Sequence, residues 1–63
     1  MTDLRVNNHG TIFLVHPLSD AGREWVQEHL PADAQRFGEA VVVEHRYIAD
    51  IVDGATNDGL EVA

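Results

Sequence analysis

The residues in this chain equipped for chemistry are four histidines, one serine and a dense set of carboxylates. His9, His16, His29 and His45 are seven, thirteen and sixteen residues apart. A metal site on one element needs histidines four apart on a helix or two apart on a strand, and no such pair exists. Only a site assembled in space from His16, His45 and Glu44 would bind a metal, and nothing in the order requires it, so neither metal nor cofactor is expected. Ser19, the single serine, stands where a helix begins, and capping accounts for it. Carboxylates act as acid and base in a cleft, and sixty-three residues leave little room for one. No catalytic residues are nominated, and the chain is expected not to be an enzyme.

Two clusters remain as binding candidates. In Glu44-His45-Arg46-Tyr47 a strand passes into a helix, and a helix N-terminus beside Arg46 favours an anion. Glu44 competes for the same positive end, so Glu44, His45 and Arg46 form a weak ligand site. The second cluster is Asp20, Glu24 and Glu28, recurring every four residues on the outer side of the first helix. At about 1.5 Å rise per residue these acids are spaced about 6 Å apart, comparable to phosphates along a nucleic acid strand. Such a stripe matches a basic, nucleic-acid-binding protein surface in charge. Asp50 and Asp53 on the second helix form a fallback face. Arg36 and Phe37 add an arginine and an aromatic, types enriched at interface hot spots.

The elements that must carry these residues follow from periodicity. Leu4-Arg5-Val6 alternates like a half-buried strand, Asn7–Gly10 collects turn formers, and Ile12–Val15 is a second strand ended by His16-Pro17. Ser19 caps a first helix whose inner stripe is Ala21, Trp25, Val26, His29 and Leu30, and Pro31 ends it. A connection follows over 31–38, with Phe37 expected to pin it to the core. Glu39–Glu44 is the central strand, and its adjacent Ala40, Val41, Val42 and Val43 suit a strand covered on both faces. Ile48, Ile51, Val52 and Ala55 then recur at helical spacing over 45–57, with Gly54 a weak point inside. Asp58-Gly59 closes this helix and Leu60–Val62 is a short last strand. The fold class is α+β: one small two-layer domain, β-β-α-β-α-β, with two helices on one face of a three- or four-stranded sheet.

Composition bounds the function. Eleven Asp and Glu against four Arg and no Lys give a net charge of −7, which repels phosphate backbones. Direct nucleic acid binding is not expected. No apolar run is long enough for a membrane and no signal peptide is visible, so a cytoplasmic protein is expected. Without cysteine no disulfide supports so short a chain, and a homodimer is a reasonable supplement.

In NNHGTIFLVHP, SDAGREWVQEHLP, FGEAVVVEHRYIADIV and DGLEV the chain resembles short proteins of proteobacteria and their phages and prophages. By size and acidity it is similar in kind to small phage-encoded inhibitors such as anti-CRISPR proteins. The resemblance implies a setting and assigns no site residues. The expected function is a small acidic interaction protein that occludes a basic protein surface. A homodimeric assembly module is the alternative, and a small-ligand or metal binder comes third.

Overall fold

The computed structural model describes every residue, Met1–Ala63. The chain runs β1 (Leu4–His9), β2 (Ile12–Pro17), α1 (Asp20–His29), β3 (Arg36–Phe37), β4 (Ala40–Glu44) and α2 (His45–Asn57). The strands form one antiparallel sheet in the order β1-β2-β4-β3. A ββα unit is thus laid down twice, with β2 and β4 meeting at the centre. The domain is α+β, with both helices against one side of a four-stranded sheet.

Strand register explains which side that is. Val6 faces Val15 across β1–β2, and Val15 faces Val41 across β2–β4. Cross-strand partners share a face and residues two apart share it too, so Leu4, Val15, Val41 and Val43 point together. They form the core with Trp25, Val26 and Leu30 from α1 and Ala55 from α2, and Ile48, Ile51, Leu60 and Val62 pack around it. The opposite face carries Ile12, Leu14, Ala40, Val42 and Phe37, and no helix covers it.

Several sequence expectations change. β1 extends to His9, because Asn7, Asn8 and His9 pair with Leu14, Phe13 and Ile12. The turn contracts to Gly10-Thr11, where Gly10 takes φ +85° and its N–H donates to Asn8 Oδ1 at 2.9 Å. Part of the long connection is strand: Arg36 and Phe37 pair with Val41 and Ala40 through a bend at Gly38 (φ +59°). Phe37 does not pin this segment inward. It is 59% exposed, and Ala34 makes the core contact instead. The central strands are covered on one face only. The last strand reduces to a parallel bridge between Leu4 and Val62, held by Leu4 N–H to the Glu61 carbonyl and Ala63 N–H to the Leu4 carbonyl.

On α1, Ala21 and His29 are exposed and Gly22 takes the inward position. Gly22 lies so close to the Asp3 carbonyl that a Cβ there would overlap it. Ser19 works twice at this end. Its Oγ accepts from Gly22 N–H at 3.0 Å and donates to Asp3 Oδ1 at 2.6 Å. Asp3 Oδ2 accepts from Glu61 N–H at 2.9 Å, so one carboxylate joins the chain's start, the helix cap and the C-terminal segment.

The helices are joined at their C-terminal ends. The Trp25 indole N–H donates to Asp58 Oδ2 at 2.7 Å. Its ring stacks on His29 at 4.5 Å between centroids, and its edge passes over Gly54 with room for a methyl group. His29 Nδ1 donates to the Trp25 carbonyl at 3.0 Å.

Candidate functional site

The largest concavity, about 410 Å³, opens between the C-terminal end of α1, β4 and the first half of α2. Leu30, Val41, Val43 and Ile51 supply apolar lining, and Glu44, Tyr47, Asp50 and His29 supply the polar groups. Each element places its share for a local reason. Pro31 halts α1, so Leu30 and His29 end at the groove. Glu44 is the N-cap of α2, and Tyr47, Asp50 and Ile51 follow at three, six and seven residues, one face of a helix. Volume and apolar lining suit a ligand or a protruding side chain.

The electrostatics of the groove are negative and only partly compensated. Glu44 Oε2 lies 3.2 Å from Arg46 Nε, and the Arg46 guanidinium rests 4.9 Å above the Tyr47 ring. Asp50 is exposed and makes no ion pair. His29 Nε2 stands 3.6 Å from Asp58 Oδ2, an ion pair when the imidazole is protonated. The arrangement can hold an apolar group with a cation beside it.

Sequence-nominated residues divide around this groove. Glu44 and Asp50 border it, joined by Tyr47 from the same cluster. His45 and Arg46 do not line it. Asp20, Glu24 and Glu28 are all exposed along α1. Asp20 shares Arg23, at 3.5 Å, with Glu39, at 3.1 Å, whereas Glu24 and Glu28 are free of ion pairs. Asp53 is exposed on α2 and likewise unpaired. Arg36 lines a smaller depression of about 220 Å³ beside Arg23 and Glu39, and Phe37 sits on the uncovered sheet face. The two residues offered as one anchor therefore point to opposite sides of the sheet.

The histidines do not converge. Ile12 pairs with Glu44, while His16 is four residues further along β2 and about 13 Å away at strand rise. His16 Nε2 is instead 3.3 Å from the Asn7 side-chain amide. No group of three or more His, Asp or Glu side chains has metal-binding geometry.

The sequence alone missed His29 and Leu30 as groove residues. The spacing of Tyr47, Asp50 and Ile51 was readable, but the arrival of the α1 end beside them is a tertiary event.

One ionisable group is clearly perturbed, and it lies outside the groove. Asp3 has its pKa held below the usual carboxylate value by the Glu61 N–H, then by the Ser19 hydroxyl and the nearby N-terminal charge, with burial opposing them. Its bonds are structural.

No helix is long and apolar enough to cross a membrane. No protein-family model, curated protein or solved structure matches this chain.

Proposed function

We propose that this chain is a small non-enzymatic interaction protein that docks its helical layer on a basic protein surface. The observation that carries the reading is the distribution of unpaired charge. Arg23 and Arg46 are consumed within the fold by Asp20, Glu39 and Glu44, leaving Glu24, Glu28, Asp50 and Asp53 on the helices without a cation. Beside Asp50 lies an apolar groove, so one surface offers both charge complementarity and a recess for an anchoring side chain. A partner contributing lysine or arginine around an exposed apolar residue fits both. Among basic surfaces those that bind nucleic acid are the most strongly charged, and occluding one is inhibition. We extend this proposal to a phage-associated inhibitor acting in the cytoplasm, the setting that the sequence resemblance implies.

Competition tests this. Purified host nucleic-acid-binding proteins are assayed for DNA retention with increasing amounts of the chain, at low and high salt. Displacement of DNA is expected at low salt, is expected to weaken at least tenfold at high salt, and should be lost in the Glu24→Gln, Glu28→Gln, Asp50→Asn variant. Displacement that ignores both salt and the three substitutions sinks the proposal.

A further inference from the structure

An antiparallel sheet with one face in water normally alternates apolar-in with polar-out. β1 obeys on the bare side, presenting Arg5, Asn7 and His9. β2 and β4 do not. Their bare-side residues are Ile12, Leu14 and His16, and Ala40, Val42 and Glu44, with Phe37 beside them on β3. Ile12, Leu14 and Val42 are half-buried by their neighbours and take no part in the core. The two central strands thus have the composition of strands covered twice, whereas the chain covers them once.

Charge identifies what covers the second side. The chain carries −7 overall, and its unpaired acids Glu24, Glu28, Asp50 and Asp53 lie on the helices. Two copies therefore repel each other most strongly through their helical layers. On the bare sheet face the fixed charges are Arg5, without an ion-pair partner, and Glu44, paired with Arg46. Their placement is symmetric about Leu14. Arg5 lies opposite His16, one strand to one side of Leu14 and two residues along. Glu44 lies opposite Ile12, one strand to the other side and two residues back. A two-fold axis across Leu14, perpendicular to that diagonal, sets Arg5 of each copy against Glu44 of the other. A patch that answers its own charges in this way meets the requirement for a two-fold interface.

The edges offer less. Val62 and Ala63 occupy the free side of β1 from Leu4 to Val6, and β3 is two residues long. We propose that two copies of this chain associate face to face through the bare side of the sheet, with Leu14 at the centre and Arg5 paired to Glu44 at two symmetric corners. Four strands about 4.8 Å apart and five residues at about 3.3 Å give a face of roughly 19 by 17 Å, near 300 Å² in plan. A standard interface buries about 800 Å² per partner, so the dimer is weak and concentration-dependent.

The sheet-face dimer shares only Glu44 with the helical docking surface, and sedimentation velocity on the full chain reads it directly. Between about 5 and 500 µM the wild type is expected to pass from monomer towards dimer, the range set by the small area. Leu14→Lys should weaken association at least tenfold. Arg5→Glu, at an exposed position outside the core, should weaken it about three- to tenfold by setting acid against acid. Adding Glu44→Arg to Arg5→Glu should restore it. Circular dichroism confirms folding, and if Leu14→Lys does not fold the Arg5 variants decide alone. A wild type that stays monomeric across the range overturns the proposal, as does a dimer indifferent to Arg5→Glu.

Discussion

Towards the helices, Leu4, Val15, Val41 and Val43 are almost fully buried in a core that draws on both helices. On the reverse of the same strands only the small Ala40 is fully buried, while Ile12, Leu14 and Val42 stay half-buried and Phe37 is largely exposed. Apart from His16 and Glu44 at the ends of the bare side, the residue types on β2 and β4 are similar on the two sides, so composition alone does not make one face the core. The covering layer does, through the positions where it comes close: Gly22 against Asp3, Trp25 over Gly54, and Asp3 holding Ser19 and Glu61. Apolar strand residues provide the capacity for burial, and the partner layer determines whether it is realised.

The sharpest way to break this comparison is to make one substitution on both faces. Leu4→Ala removes a side chain that is 1% exposed and is expected to cost about 2–5 kcal/mol. A chain of sixty-three residues has roughly 3–9 kcal/mol of total stability, so this variant should lose a large share of it and unfold at much lower urea. Leu14→Ala, at a position only partly shielded from water and without core contact, is expected to cost less than about 1.5 kcal/mol in dilute solution. Urea unfolding at low micromolar concentration measures both. Equal losses would mean that the bare face carries as much of the fold as the covered one.

The covering layer itself is uneven, and two glycines expose the difference. On helix propensity alone, Gly→Ala stabilises a helix interior by up to about 1 kcal/mol. At Gly54 a Cβ would meet Trp25 at 3.5 Å, an ordinary contact, so Gly54→Ala is expected to raise stability by up to that amount. At Gly22 the added carbon runs into the Asp3 carbonyl, and α1 must move off β1, costing about 1–3 kcal/mol in spite of the propensity gain. Thermal denaturation should therefore shift in opposite directions for the two variants. A Gly22→Ala protein at least as stable as wild type would show that α1 does not depend on this close approach.

How far these contrasts were legible in the sequence depended on the distance over which each cause acts. The second helix was readable because Ile48, Ile51, Val52 and Ala55 repeat within one segment. The Ser19 cap and the stop at Pro31 were equally local. β3 was not readable: two residues are too few to show alternation, and Arg36-Phe37 becomes a strand only because β4 lies beside it. Asn7, Asn8 and His9 have the composition of a turn and are strand because β2 extends far enough to pair them. The run Ala40–Val43 correctly indicated a central strand, but whether the chain would cover one face or two depends on where both helices pack. The groove was half visible, with Glu44, Tyr47 and Asp50 in one segment and Leu30 brought to them from another. Gly22 left one local signal, a glycine in a helix one position from the expected inner stripe, and its meaning needed Asp3.

Asp3 provides the finest test, since it fastens the margin of the covered face and has no counterpart on the bare one. The Glu61 N–H and the Ser19 hydroxyl both bond its ionised form, which is why its pKa falls below the ordinary carboxylate value of 3.8. The sign follows from that direction. The unfolded chain takes up a proton at higher pH than the folded one, so the stabilising contribution is complete above the unfolded value and is lost as pH falls through the folded one. Asp3→Asn removes the charge and turns an amide N–H₂ or a single acceptor towards two donors, so at neutral pH it should lower the melting temperature by a small, measurable amount. On acidification from pH 7 to pH 2 the gap between wild type and variant should hold until about pH 4 and then close, because the protonated wild type loses the same bonds. Arg5→Gln, on the bare side of β1, should leave a gap with no such closure. A wild-type-to-Asn gap that stays constant down to pH 2 would mean that the ionised Asp3 does not fasten this margin, and that burial alone separates the two faces.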